Sequence, residues 1–237
     1  IPRQIDYALE RLPAATQIKL YNSGSFFDRQ AIPPEDYASI ADRVRRFDGV
    51  IVENHPRFCG DDCLRFRDLL HGDLEIAIGL ETIHSGVLGR LNKQMTRDDF
   101  ERAVRFLREE GIQVRAFILL RPPFMEEDEG VEWAIRSIRF AFDVGVGCCA
   151  VIPTRGGNGI LEELAEHRWF VPPTITSMER VLESGLRMQQ GRAFMDLWDC
   201  ERFYTCPDCG PERRERLHQM NLLQQLLPEV ECDCERS

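Results

Sequence analysis

No run of about 18 consecutive apolar residues occurs in this 237-residue chain, so no membrane-spanning helix is legible in it. Nor does it open with the basic, then apolar, then small-residue pattern of a secretory signal. With neither feature, the expected location is the cytoplasm and no membrane partner is expected. The first residues are Ile1-Pro2 rather than methionine, and we read the chain as a fragment. Internal repeats and low-complexity stretches are missing too. Cations are in the minority, with 30 lysines and arginines against 40 acids and a formal net charge of −10. That balance argues against broad, non-specific binding to nucleic acid and leaves room only for a local basic patch. The 43% hydrophobic and 30% charged residues are ordinary for a soluble globule, and the length suits one α/β barrel-sized domain with or without an appendage.

What the chain does have is alternation. Short apolar runs at residues 18–22, 49–53, 74–79, 114–120 and 147–152 read as strands. Helical patterns fall at 3–11, 34–47, 63–70, 96–110, 130–144 and 174–190. Thr96 is placed to cap the fourth of these, with Asp98 and Asp99 in its first turn and Gly111 beyond its end. Continuous apolar strands alternating with helices predict a parallel sheet covered by helices, either a full or partial βα barrel or an open doubly wound sheet. Both folds gather ligands beyond the carboxyl ends of their strands. The residues there are polar or glycine-rich: Ser23-Gly24-Ser25, Glu53-Asn54-His55, Gly79-Leu80-Glu81-Thr82, Arg121-Pro122-Pro123 and Ile152-Pro153-Thr154-Arg155. On pattern alone, Ser23-Gly24-Ser25 is as readily a plain turn as a ligand loop. Glu81 reads equally as a capping acid and Lys93 as a solvated lysine.

The stretch GLETIHSGVLGRLNKQMTRDDFERAVRFLREEG, residues 79–111, narrows these choices. It resembles the radical S-adenosylmethionine (SAM) core shared by the catalytic subunit of Elongator and the tRNA methylthiotransferases. There a strand ends Gly-x-Gln/Glu-Ser/Thr, followed by a Val-Leu…Asn-Arg segment and a helix ending Leu-Arg…Gly. Gly79, Glu81, Thr82, Val87, Leu88, Leu91, Asn92, Thr96, Leu107, Arg108 and Gly111 fall in place, and Lys93 stands where that pattern has arginine. The segments KLYNSGSFFD and VIPTRGGNG are also similar to a narrower group, the radical SAM partner of archaeosine synthase. The resemblance spans roughly residues 16–160. It implies a partial βα barrel in which Ser23, Gly24 and Ser25 contact the SAM amino group, Glu81 and Lys93 hold its ribose or carboxylate region, and Ile152 and Pro153 flank its adenine.

The same family holds a 4Fe–4S cluster on Cys-x3-Cys-x2-Cys. Here Cys59 and Cys63 have the first spacing, but the third position is Phe66, and the pair follows the second strand rather than the first. The cluster ligands are therefore expected upstream of residue 1, and this chain alone is expected to be inactive. Residues 1–173 are read as a barrel core lacking its first strand, and residues 174–237 as a helical extension with a cysteine-rich tail. In the intact protein the resemblance implies a reduced cluster that cleaves SAM to a radical, an electron donor for that cluster, and a substrate in tRNA. A non-catalytic binding module on a degenerate SAM fold is the competing expectation.

Five of the nine cysteines lie in the last stretch of the chain. Without a secretory signal, metal binding is expected of them rather than disulfides. Cys206 and Cys209 form a CxxC and Cys232 and Cys234 a CxC, four thiolates suited to tetrahedral zinc or to an auxiliary iron–sulfur cluster. Between them PERRERLHQMNLLQQLL predicts a helix that packs through Leu217, Met220, Leu223 and Leu227, with Arg213, Arg214 and Arg216 solvated at its start.

Overall fold

The computed structural model describes residues 1–21, 24–157 and 159–235. Among them run α1 (Pro2–Leu9), β1 (Gln17–Leu20), α2 (Tyr37–Val44), β2 (Gly49–Asn54), α3 (Asp61–Arg67), β3 (Asp73–Glu81), α4 (Ser85–Arg90), α5 (Arg97–Glu109), β4 (Gln113–Leu120), α6 (Glu127–Asp143), β5 (Cys148–Pro153), α7 (Ile160–Glu166), α8 (Ile175–Met188), β6 (Arg192–Met195) and α9 (Gly210–Leu223). The strands form one sheet in sequential order, β1-β2-β3-β4-β5-β6. Registers such as Gln17↔Gly49, Val50↔Leu74 and Cys148↔Arg192 run parallel. Sequential parallel order with intervening helices is the α/β arrangement of a partial βα barrel, with its cysteines clustered toward the carboxyl end. The open doubly wound alternative, whose strand order reverses, does not apply. No helix among the described residues is long and apolar enough to cross a membrane.

Two compact units divide the chain. The first comprises Ile1–Gly79, Met95–Ala116 and Val144–Val146. Its strands are buried on both faces, as Val50, Ile51, Val52, Ile76 and Ile78 show. Phe26, Phe27, Tyr37 and Phe66 make an aromatic cluster, with the Phe26 and Phe66 centroids 4.8 Å apart. The α5 helix begins with the expected Thr96 cap, which is reciprocal. Thr96 Oγ1 accepts from Asp99 N, and Asp99 accepts from Thr96 N at 2.9 Å. Gly111, at φ 76°, supplies the left-handed residue that ends it. One buried ion pair, Arg115 Nε to Glu75 Oε1 at 2.6 Å, crosses between β4 and β3.

The second unit comprises Leu80–Gln94, Phe117–Asp143 and the chain from Gly147 onward. Thr174 caps α8, accepting from Ser177 N, and α8 buries Met178, Val181 and Leu182. At Gly185 a Cβ would lie 2.9 Å from the Ala193 Cβ, so glycine lets α8 lie close against β6. The short β6 was not legible in the sequence. Its outer edge is closed by two amides rather than by another strand. Gln224 exchanges hydrogen bonds with Ala193 N and O, both 2.9 Å, and Asn221 does the same with Met195 N and O, at 2.9 and 2.8 Å. Paired this way, the edge offers no template for another chain.

The start of α9 departs from expectation. Arg213 and Arg216 are buried, not solvated. Arg216 reaches Glu179 at 2.9 Å and Glu183 at 2.7 Å, and Arg213 reaches Glu179 at 2.8 Å. Burial at this cost is tolerated because every charge finds an opposite one. Leu217 and Met220 pack inward as predicted, whereas Leu223 is exposed, because α9 ends there with Gln224 in the left-handed region.

Candidate functional site

Glu81 is the last residue of β3. It is buried, and its backbone lies in the left-handed region at φ 62°. A non-glycine residue there carries a backbone cost that is commonest at functional sites. Lys93 arrives from the loop between α4 and α5, flanked by Asn92 and Gln94 at φ 53° and 49°. Its Nζ lies 2.8 Å from Glu81 Oε1. The α4 segment is held by buried Val87 and Leu88 and by His84, which accepts from Val87 N. A buried carboxylate with one oxygen on an ammonium keeps the other as an acceptor for a diol or amine, while the half-exposed lysine can also meet a carboxylate.

At the carboxyl end of β2, Ser25 Oγ accepts from His55 N at 3.1 Å, Phe26 N donates to Glu53 O at 2.8 Å and Asn54 Oδ1 accepts from Phe27 N at 3.3 Å. These bonds stitch the loop after β1 to the end of β2. Gly24 is exposed, and a Cβ there would meet only Ala31 at 3.9 Å. Ser23 lies outside the described residues. Asn54 Nδ2 also donates to Cys59 Sγ at 3.4 Å. The Cys59 and Cys63 thiols hydrogen-bond to each other, which pushes Cys59 up and Cys63 down from the ordinary thiol range. No third metal ligand joins them among the described residues. The residues present therefore do not fit a 4Fe–4S cluster here.

At the carboxyl end of β5, Pro153 is buried and Ile152 half-buried. Thr154 ties this end to β4, its N and Oγ1 both donating to Leu120 O at 3.1 and 2.9 Å. Arg155 is paired with Asp196. Arg121, just past β4, is buried and left-handed, and its Nη1 donates to Glu127 Oε2 at 2.5 Å and Pro172 O at 2.9 Å. The Arg155–Asp196 pair closes over 41 residues and the Arg121–Glu127 pair over a six-residue turn into α6, and neither has a sequence signature.

The tail cysteines converge. The sulfurs of Cys206, Cys209, Cys232 and Cys234 all lie within 4.8 Å of one another, and Cys209 and Cys234 are 3.7 Å apart. A zinc tetrahedron with ~2.3 Å bonds puts its sulfurs ~3.8 Å apart. The N–H groups of Cys209 and Asp208 point at Cys206 Sγ and lower its thiol to about 7. That is the outer-shell donation that stabilises a thiolate ligand. The donor set fits one tetrahedral ion.

No family model matches the chain. An uncharacterized protein of Methanocaldococcus jannaschii is 25% identical over 99% of this chain and 69% of its own length. Proteins named archaeosine synthase subunit beta are 26% identical in Methanosarcina acetivorans, over 92% of this chain and 66% of theirs, and 28% identical in Thermococcus kodakarensis, over 77% and 59%. The chain thus spans roughly two thirds or less of the two archaeosine synthase relatives. Among solved structures, the archaeal Elp3 of Methanocaldococcus infernus with an amino-terminal deletion superposes over 93% of this chain and 58% of its own, with a TM-score of 0.67 at 13% identity. Methylornithine synthase superposes over 81% and 61%, with a TM-score of 0.55 at 15% identity. In sequence the chain is similar to the proteins named archaeosine synthase subunit beta, and in fold to the archaeal Elp3 and methylornithine synthase.

Proposed function

We propose that this chain is the SAM-holding part of a radical SAM enzyme that modifies tRNA. The observation that carries the reading is the Glu81–Lys93 pair at the carboxyl end of β3, two residues far apart in character that the left-handed turns bring into contact. In this reading Glu81 accepts from the SAM ribose hydroxyls while Lys93 meets its carboxylate. Gly24 and Ser25 offer polar groups to its amino end, and Ile152 and Pro153 flank its base. When bound together, the 4Fe–4S cluster and SAM supply radical chemistry. The cluster's thiolates belong outside residues 1–237 in this reading, since Cys59 and Cys63 lack a third partner, and an electron donor is implied with them. The relatives' name, archaeosine synthase subunit beta, supports a second subunit, and the resemblance of residues 79–111 to the core of tRNA-modifying enzymes supports a tRNA substrate. Calorimetry of SAM binding with the wild type and with Glu81→Ala tests the assignment, and equal affinity would remove Glu81 from the site.

We also propose that the tail binds one zinc ion in a structural role. The spread of at most 4.8 Å among the four sulfurs favours a single ion, because an iron–sulfur cluster places a separate iron beneath each thiolate and holds them further apart. Elemental analysis of the purified chain distinguishes about one zinc from iron with labile sulfide.

A further inference from the structure

Beyond β4 the second unit holds an open cavity of about 290 Å³ that none of the residues assigned above to SAM or metal lines. Its walls carry Arg90, Arg121, Phe124, Arg168 and Trp169, together with the acids Glu126 and Glu129. Three of these residues, Arg121, Phe124 and Arg168, hold left-handed backbones at φ 51°, 74° and 59°. Such a concentration is costly for side-chain-bearing residues and marks a wall whose shape is imposed. Two contacts impose it. Phe124 N donates to Trp169 O at 2.6 Å. Gly130 lets α6 press on Arg121, where a Cβ would lie 2.8 Å from the Arg121 Cα.

The lining is of two kinds. One is flat and π-rich. The Arg90 guanidinium stands 3.2 Å from the centre of the Phe124 ring, Phe124 and Trp169 are 6.2 Å apart, and His167 lies 5.3 Å from Trp169. Trp169 nevertheless stays 52% exposed, so much of the indole is free to stack. The other kind is charged. Arg90 and Arg168 have no carboxylate partner among the described residues, although most arginines of this acidic chain do, as in Arg180–Asp128. The buried Arg121 Nε also lacks a hydrogen-bond partner. Opposing these cations, Glu129 sits 3.7 Å from His84 Nε2 and Glu126 is exposed. A bare anion would meet both acids. A ligand with an anionic group, a flat face and an N–H edge satisfies all the walls at once. Guanidinium takes the phosphate, the indole takes the ring and the carboxylates accept from the edge.

We infer that this cavity binds one nucleotide, with its base stacked on Trp169 and its phosphate on Arg90 and Arg168. Its volume of about 290 Å³, just below the usual ligand-cleft range of about 300–1,000 Å³, suits one nucleotide and not two. The ligand is either a free nucleotide or an unpaired residue of an RNA strand. RNA is the choice that rests on the tRNA reading above.

The test uses the full chain without SAM or cluster, so loss of SAM binding and loss of nucleotide binding are read separately. Isothermal titration is carried out with guanosine monophosphate, inorganic phosphate and an unstructured ten-nucleotide RNA. Guanosine monophosphate should bind while inorganic phosphate does not, and Trp169→Ala and Arg168→Ala should each weaken binding at least tenfold. Both residues are surface-exposed, so thermal melts should show both variants folded; Arg90→Ala provides a third, independent wall. RNA binding at least tenfold tighter than the monophosphate identifies RNA as the source, and equal affinity identifies the free nucleotide. No binding of either at millimolar concentration overturns the site, as does wild-type affinity in all three variants.

Discussion

Lys93 Nζ rests 2.8 Å from Glu81 Oε1, and both residues reach that contact through left-handed backbone at Glu81, Asn92 and Gln94. The strand delivers the acid, the loop delivers the base, and neither turn is relaxed. In the proposed SAM-binding reading, a ligand is what this backbone cost serves, since a partly exposed pair contributes little to folding.

Replacing Glu81 by alanine should therefore weaken SAM binding by ~1–3 kcal/mol, the scale of a charge-assisted hydrogen bond and its orphaned partner. Lys93→Ala should act in the same direction, while Lys93→Arg should retain affinity because the charge is kept. Calorimetric titration of the three variants checks this, and an unaffected Glu81→Ala would end the assignment.

Zinc content should follow the tail cysteines. Cys206→Ser or Cys232→Ser should lower bound zinc from about one per chain toward zero, and a chelator should lower the melting temperature of the wild type toward that of the variants. Melting curves that ignore the chelator, with four freely alkylated thiols in the native protein, would show the tail to be unliganded.

Arg216 joins α9 to both Glu179 and Glu183. Arg216→Ala removes the cation that the two buried carboxylates share, leaving Glu179 with Arg213 and Glu183 with Arg187, and should cost ~1–3 kcal/mol of stability, the scale of buried hydrogen-bonding groups left unmade. Arg214, exposed two residues away, should change stability by less than ~0.5 kcal/mol when made alanine. Urea unfolding of the two variants gives the comparison, and similar midpoints would refute the buried network.

Glu127 should make stability depend on acid. Burial alone would raise its carboxyl, but hydrogen bonds from Ser177 Oγ, Thr174 N and Thr174 Oγ1, with the Arg121 charge, outweigh it and hold the group below the ordinary carboxylate range. A carboxyl lowered on folding stabilises above its unfolded pKa and loses that contribution as pH falls through the folded value. The melting-temperature gap between wild type and Glu127→Gln should be full at neutral pH and close below about pH 4, where carboxyls take up protons. A gap constant from neutral to acid pH would assign the effect to shape rather than charge.

Much of the scaffold was legible because it rests on local rules. Apolar runs such as Ile76-Ala77-Ile78 bury on both faces wherever helices cover a parallel sheet. Thr96 with Asp99 caps a helix whatever lies beyond it, and CxxC with CxC announces a ligand set by spacing. Glu81 and Lys93 stood out for the same reason, as residues of a short continuous pattern. The resemblance of residues 79–111 supplied the SAM assignment, which periodicity alone did not.

What the sequence by itself determined was therefore the order of the first five strands with the helices between them, the strand ends that bear polar residues and the four tail thiols. Tertiary structure decided which of those groups meet. It turned Arg213 and Arg216 from expected solvent toward Glu179 and Glu183 on α8. It closed the edge of β6 with the amides of Asn221 and Gln224, and it gathered Arg90, Phe124 and Trp169 around one cavity. Each of these contacts joins residues separated by a helix, a strand or a long loop. Their partners are chosen by how the elements pack and by the need to pair every buried charge and backbone group, and a linear pattern carries no record of that choice.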